Sequence, residues 1–206
     1  MVLPYAVAAT CAALSCASCK VCVHGRNWPF KVGGDAQARS ISLEPVPTTI
    51  DELRAVPHAD RPPDGTRIPP VELTTYVLRD VWLRSFQRSP DGDVHMVIAD
   101  EHGHTMIIEA APPTCTPDES PWRALIATTR DRVDAEMPEL SGWPKTYVSL
   151  TGVGYMDFLH GQPGVAPNAI ELHPILTICF GKGCALSDPR TPAPVARYEA
   201  CRPATP

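Results

Sequence analysis

The stretch DVHMVIADEHGHTMIIEAA, residues 93–111, decides the fold that this sequence predicts. Each half alternates apolar and polar side chains, and EHGH between the halves is a turn signal. Alternation with a period of two is typical of strands that bury one face, so the stretch predicts a β-hairpin. Its inner face is expected to consist of Val94, Met96, Ile98, Met106 and Ile108. Its outer face is expected to carry Asp93, His95, Thr105, Ile107 and Glu109.

Three further strands are predicted outside this hairpin. Residues 73–88, LTTYVLRDVWLRSFQR, are rich in β-branched and aromatic side chains and end at the turn signal SPDGD. Residues 146–158 and 170–180 alternate apolar and polar side chains in a similar way. In the last of these strands, Leu172 and Leu176 are expected to share the buried face.

A helix is predicted between the third and fourth strands. Asp118 or Ser120 is expected to cap it, Pro121 lies in its first turn, and its apolar face continues to about Met137. Three strands, a helix and two strands are the chain order of an OB-fold. The sequence therefore predicts a mainly β protein built as a five-stranded OB-like Greek-key barrel. A β-sandwich with one helix is the alternative, and it needs more strands than the sequence shows.

Composition divides the chain into four segments. Residues 1–22 are interpreted as a Cys-rich segment or a signal sequence, and residues 23–72 as an N-terminal extension that wraps the barrel. Residues 73–180 form the predicted OB-like barrel, and residues 181–206 are interpreted as a disordered, Pro-rich tail. Within the extension, TTIDELRAV predicts a short helix in which a threonine caps the first turn and Glu52 closes a capping box.

The eight cysteines indicate an oxidising compartment. YAVAATCAALSC is a short apolar run with a small-x-small cleavage pattern at residues 13–15, although no Lys or Arg precedes Lys20. Cleavage there would make Cys16 the first residue, as in a lipoprotein, but Leu14 lies one place too late for a good lipobox. The expected location is therefore secreted, periplasmic or in the cell envelope.

A disulfide bond is expected to tie the extension to the barrel. Either Cys19 or Cys22 would bond either Cys115 or Cys179, because the partners cannot be deduced from the sequence. A zinc cluster of the four N-terminal cysteines is the alternative. Structural zinc sites usually join two pairs of ligands separated by a folded span, whereas these four cysteines lie within twelve residues.

The charge of the predicted barrel counts against general nucleic-acid binding. Residues 73–180 hold seven Lys/Arg and fourteen Asp/Glu, which gives a net charge of −7. Proteins that hold nucleic acid by its phosphates usually carry the opposite sign. No apolar stretch is long enough to span a bilayer, so no transmembrane segment is expected.

Three motifs of the chain resemble an uncharacterised family of exported bacterial proteins. The motifs are DGDVHMVIAD, TMIIEAAPPTC and GVGYMDFLHGQPGVAPNAIELHP, and the likeness extends from about Trp28 to Phe180. Members of that family carry a D-x-D-x-H-x-V strand, a TMI-x-E strand and a GVGFFDFxHGQxGxAPNxIELHP motif. The resemblance implies one exported domain and leaves the activity open. The chain departs from the family pattern at Tyr155, Met156, Pro163 and Ala169.

A first group of polar residues follows the turn before the hairpin. Asp93 and His95 share one strand face, and Glu109 is expected beside them on the neighbouring strand. With Asp91, these side chains predict a divalent metal site. The alternative is structural, because Asp is favoured in a PDGD turn for its bonds to the backbone. The DGD turn is also similar to that of staphylococcal-type nucleases, but no arginine follows it in HMVIADEHGHTMIIEAAP.

A second group lies in and after the long glycine- and proline-rich loop. It consists of Asp157, His160, Asn168, Glu171 and His173, and a histidine and a carboxylate within hydrogen-bond reach could act as general acid and base. The structural interpretation is that His160 and Asn168 satisfy the backbone groups of an ordered loop.

Two functions follow from these groups. The first is an exported binding or interaction module, since OB barrels bind oligonucleotides and oligosaccharides on the face of strands two and three; a protein is a further expected partner. The second is a metal-dependent hydrolase, with nucleases included. No organic cofactor is expected, and a divalent metal belongs to the second function. The residues proposed for catalysis are Asp93, His95, Glu109, His160, Glu171 and His173.

Overall fold

Five strands close into a barrel in the computed structural model, which describes Cys22 and residues 25–191. The helices are α1 (Trp28–Val32), α2 (Ile50–Arg54) and α3 (Arg123–Glu136), with 3₁₀ turns at Ala38–Ser40, Val71–Leu73 and Pro113–Cys115. The strands are β1 (Ser42–Pro47), β2 (Thr74–Arg88), β3 (Val94–Ala99), β4 (Thr105–Ala110), β5 (Ser141–Gly142), β6 (Thr146–Met156) and β7 (Ile170–Phe180).

The barrel has the strand order that the sequence predicts. β2 pairs with β3, β3 with β4, β4 with β7 and β7 with β6, and β6 returns to β2 and closes the ring. The β4–β7 pair is parallel, and α3 lies between β4 and β6 in the chain. This is the arrangement of an OB-like barrel. The prediction of a mainly β fold with one longer helix is therefore confirmed.

The barrel interior follows the alternation read from the sequence. Apolar side chains from all five barrel strands meet along the axis and are almost fully buried, and α3 contributes Val133 to the same cluster. The predicted inner face of the hairpin lies in this core. The barrel strands contribute Leu78, Leu83, Phe86, Val94, Met96, Ile98, Met106, Ile108, Val148, Leu150, Leu172, Ile175 and Ile178, among others.

The placement of Leu176 beside Leu172 was wrong. Leu176 lies outside the barrel, in a second apolar cluster that includes Trp122 of the α3 start. Consecutive positions of β6 pair with Ile175 and Thr177, so Leu176 is one additional residue in β7. Such a bulge shifts the following side chains to the other face, and a period-two pattern does not anticipate it.

The N-terminal cap of α3 also differs from the prediction. The helix begins at Arg123, and neither Asp118 nor Ser120 occupies the capping position, which is held by Trp122. The Ser120 hydroxyl donates instead to the Val32 carbonyl oxygen at 2.6 Å and accepts from the Trp122 amide at 3.2 Å. Ser120 therefore joins α1 to the helix start.

Buried ion pairs hold the N-terminal extension together, and a hydrogen bond from β6 joins one of them to the barrel. The Arg67 guanidinium contacts the Asp35 carboxylate at 2.5 Å and donates to the Phe30 carbonyl at 2.8 Å. Glu72 accepts two hydrogen bonds of 2.7 Å from Arg61 and one of 2.8 Å from the Met156 amide in β6. Every charged group in these pairs has a partner, which is the condition under which a buried ion pair is tolerated.

The extension contains both predicted and unpredicted elements. Thr49 caps α2: its hydroxyl accepts from the Glu52 amide, and the Glu52 carboxylate accepts from the Thr49 amide. The predicted capping box is therefore present. Helix α1 and strand β1, which pairs in parallel with β2, were not predicted.

Two disulfide bonds lie within the described residues. Cys22 bonds Cys115, which is one of the predicted pairings, and Cys179 bonds Cys184 within a five-residue separation. The predicted signal sequence and most of the Pro-rich tail lie outside the described residues, together with the remaining four cysteines. Among the helices of the described part, none has the length and apolar character needed to cross a lipid bilayer.

Candidate functional site

Strand register brings the polar residues of three strands together on the outside of the barrel. His95 of β3 pairs directly with Glu109 of β4. Ile107 of β4 pairs with Glu171 of β7 in a parallel ladder, so Glu109 lies beside His173 two residues further along. The predicted outer face of the hairpin is therefore continued by the outer face of β7.

Four of these residues form a continuous chain of carboxylates and imidazoles. Asp93 Oδ2 lies 3.5 Å from His173 Nε2, and His173 Nδ1 lies 2.7 Å from Glu109 Oε2. Glu109 Oε1 lies 3.0 Å from His95 Nδ1. We call Asp93, His173, Glu109 and His95 the carboxylate–imidazole network. It extends from the deeply buried Asp93 to the partly exposed His95.

Several atoms of the network have no well-directed hydrogen bond. They include both carboxylate oxygens of Asp93, both ring nitrogens of His173 and Nε2 of His95. The His173 nitrogens meet their carboxylates at ion-pair distance without the direction that a hydrogen bond requires. Buried polar groups are normally hydrogen-bonded, so this concentration of unsatisfied atoms marks the network as a functional candidate.

Helix α1 adds a cation that the sequence did not predict. Lys31 Nζ lies 3.6 Å from Glu109 Oε2 and 5.2 Å from the centre of the Tyr155 ring. Gly33 ends α1 with φ +68° and lies directly against the Trp122 ring, where a β-carbon would overlap the ring. This close contact fixes the helix, and with it Lys31, on the barrel.

The charges of the network oppose the effect of burial on Glu109. Burial alone would raise the pKa of Glu109, but His173, His95 and Lys31 outweigh it and hold that pKa well below its ordinary value. Burial alone would lower the pKa of Lys31, but Glu109 and other nearby acids outweigh burial and raise that pKa above its ordinary value. Lys31 and Glu109 therefore both stay charged at neutral pH.

The pKa values of His173, Asp93 and the neighbouring Glu171 are raised above their ordinary values. Burial would lower the pKa of His173, but the charges of Asp93 and Glu109 outweigh burial and raise it. Burial raises the pKa of Asp93 more than His173 lowers it. Burial and the charge of Glu109 raise the pKa of Glu171 well above its ordinary value. The pKa values of His173, Asp93 and Glu171 are therefore raised around a Glu109 carboxylate whose own pKa is lowered.

A cavity of about 260 Å³ lies over the network. Its lining includes Lys31, His95, Glu109 and Glu171, together with groups from the loop after β6. That loop is held down at Gly164, where φ is +80° and the backbone lies against the Val97 side chain so closely that a β-carbon would overlap it. The network therefore forms part of the wall of a small polar cavity.

The structure places Asp91, Asp157 and His160 at this cavity and Asn168 away from it. Asp91 is exposed in the turn before β3, and its Oδ1 accepts from the Asp93 amide at 3.2 Å, as the structural interpretation proposed. His160 is exposed and lies 3.8 Å from Asp157, and both line the cavity. Asn168 is buried and donates to the carbonyls of Leu53 and Val56, so it has a structural role.

Lys31 and Tyr155 are the site residues that the sequence did not point to. Lys31 lies in a part of the extension without strand or helix periodicity, and Tyr155 reads as an ordinary strand aromatic. Burial raises the pKa of the Tyr155 hydroxyl to about 12, so it stays protonated beside Lys31. Comparisons with protein-family models, with curated proteins and with solved structures found no match to this chain.

Proposed function

We propose that this protein is a hydrolase in which His95 acts as the general base on a small substrate in the cavity. The observation that carries this proposal is the carboxylate–imidazole network, whose outer end is His95 at the cavity wall. A carboxylate behind an imidazole orients the ring and stabilises its protonated form, which a base needs when it takes a proton.

The role of His95 follows from the state of Glu109. Because Glu109 is anionic, it can only accept, so the hydrogen on the His95 ring lies on Nδ1. Nε2 then carries the lone pair, and it has no hydrogen-bond partner among the described residues. Nε2 is buried and unpaired behind the cavity wall, and we propose that it removes the proton from a water bound in the cavity.

The remaining charges fit the hydrolysis of an ester. The water oxygen forms a bond to the ester carbonyl carbon while its proton passes to His95 Nε2. The Lys31 ammonium stabilises the negative charge that develops on the carbonyl oxygen. The bond to the leaving alcohol then breaks, and His95 returns its proton to that oxygen. The products are a carboxylic acid and an alcohol.

The cavity favours neutral or cationic substrates over phosphates. Its wall includes the acids Asp91, Glu109 and Asp157 against the single ammonium of Lys31, so a bare phosphate would be repelled.

We place the protein outside the cytoplasm, as the resemblance implies, because it holds two disulfide bonds.

Replacing His95 by asparagine is expected to lower the hydrolysis of p-nitrophenyl acetate by at least about 100-fold, the usual contribution of a general base. The matched control is His102→Asn, whose side chain is 63% exposed in the turn between β3 and β4. Circular dichroism and thermal unfolding establish that both variants fold. Equal rates for the His95 variant and the wild type would contradict the proposal.

A metal-dependent hydrolase is the second candidate. Ligand atoms of Asp93, Glu109 and His173 lie within 4.8 Å of one another, which suits a divalent ion. The carboxylates contact opposite nitrogens of His173, so one ion could not use all three groups without side-chain movement. Hydrolysis of p-nitrophenyl acetate in the presence of EDTA distinguishes the two candidates. An unchanged rate supports the general-base proposal, and a rate that is lost with EDTA and restored by zinc supports the metal-dependent hydrolase.

A further inference from the structure

An aromatic cleft adjoins the cavity that covers the network. It has a volume of about 450 Å³ and is bounded by residues 25–31 of the extension on one side and by the loop after β6 on the other. Lys31, Asp91, Asp157 and His160 line both spaces. A ligand that occupies the cleft therefore reaches the cavity where His95 lies.

Among the described residues, the cleft wall includes a largely exposed aromatic ring. Phe158 is 64% exposed although it lies only two residues after the buried end of β6, and its ring centre lies 4.6 Å from that of His160. Trp28, which is half-buried, lines the same cleft, and the buried Tyr155 lies behind its wall. Exposed large apolar side chains beside a polar cavity are typical of a binding site.

The charged groups of the cleft cancel. Arg26 and Lys31 supply two positive charges, and Asp91 and Asp157 supply two negative charges. Asn27 adds an amide that both donates and accepts. A neutral ligand that offers an apolar face and many hydroxyl groups matches this combination. A charged ligand would be repelled by the two cleft residues that carry its own sign of charge.

We propose that the cleft binds the pyranose rings of a neutral carbohydrate. The C–H face of such a ring packs on Phe158, and its hydroxyls bond to the aspartates, the arginine and the amide. Carbohydrate binding in the cleft does not depend on catalysis by His95. A second step rests on the proposed function: the substrate is an acylated carbohydrate, whose ester lies over His95 while the sugar occupies the cleft.

The hydrolytic step then releases an acid from a sugar. Water adds its oxygen to the acyl carbon, and His95 Nε2 takes the water proton. The bond between the acyl carbon and the sugar oxygen breaks, and that oxygen receives the proton from His95. One water is consumed, and a carboxylic acid and a sugar hydroxyl are formed without any change of oxidation state.

Calorimetric titration of the His95→Asn variant with xylohexaose, cellohexaose and chitohexaose tests the cleft separately from catalysis. At least one of these sugars is expected to bind, and adding Phe158→Ala is expected to weaken its affinity at least tenfold. The matched control is Trp143→Ala, which removes another exposed aromatic side chain, 77% exposed, from a different part of the surface.

Each outcome supports or overturns one step. Binding lost with Phe158→Ala and kept with Trp143→Ala supports the carbohydrate site. No binding by any of the three sugars, or equal losses in both variants, overturns it. Wild-type protein that binds the sugar but releases no acetate from its acetylated form overturns the substrate assignment alone. Wild-type protein that hydrolyses p-nitrophenyl acetate without binding sugar leaves the proposed function standing and overturns the cleft.

Discussion

Replacing Glu109 by glutamine will lower the free energy of unfolding at pH 7 by about 3–5 kcal/mol, the usual cost of removing one partner from a buried ion pair. Glutamine preserves the shape of the side chain and removes its charge. Lys31, only 16% exposed, then loses its closest carboxylate, and His173 and His95 lose the anion between them. The measurement is urea unfolding at pH 7 with the disulfide bonds intact.

The control for this substitution is Glu101→Gln. Glu101 carries the same charge but is 89% exposed in the turn between β3 and β4, so its replacement is expected to change stability by less than about 0.5 kcal/mol.

The low pKa of Glu109 also makes the stability of the protein depend on pH. The contribution of Glu109 to stability is complete above the ordinary pKa of 4.5 and is lost as the pH falls through the lowered pKa. The free energies of unfolding of the wild type and the Glu109→Gln variant are therefore expected to converge in acid. Equal stability of the Glu109 and Glu101 variants at pH 7 would contradict this account.

Replacing Gly154 by alanine will destabilise the protein by about 3 kcal/mol, the upper part of the range for overpacking a core. A β-carbon at this position in β6 would overlap the Val71 carbonyl oxygen and lie 2.9 Å from the Tyr76 ring. Val71 belongs to the buried segment that joins the extension to the barrel, and a backbone atom cannot move aside as a flexible side chain can. Thermal and urea unfolding measure the effect.

Gly25→Ala is the matched control for Gly154. The additional methyl group at Gly25 meets no atom within 4 Å, so it is expected to leave stability unchanged. If Gly154→Ala unfolds with the wild-type midpoint, the extension does not pack against β6 as described.

The barrel could be predicted because its information is local. Alternation in residues 93–111 fixes which side of the hairpin is buried, and turn signals fix where the strands end. The described strand bounds accordingly lie within two residues of the predicted ones. Leu176 was misplaced because one additional residue in β7 reverses the alternation without any sign in composition.

The site could be predicted in part for a related reason. His95 and Glu109 were placed together because two strands of a hairpin have one simple register. His173 was assigned to a separate group, because its position beside Glu109 depends on the parallel pairing of β4 with β7, far apart in the chain. Lys31 was missed altogether, since its place depends on how α1 docks, which no periodic pattern encodes.

Nitrogen NMR spectra of ¹⁵N-histidine-labelled protein between pH 5 and pH 9 test the carboxylate–imidazole network most directly. We predict that His173 keeps a hydrogen on both ring nitrogens to a pH above its ordinary pKa of 6.5, because Asp93 and Glu109 flank it. We also predict that neutral His95 keeps its hydrogen on Nδ1, where Glu109 accepts it. A His173 ring that is already neutral below pH 6.5, with the His95 hydrogen on Nε2, would contradict the account.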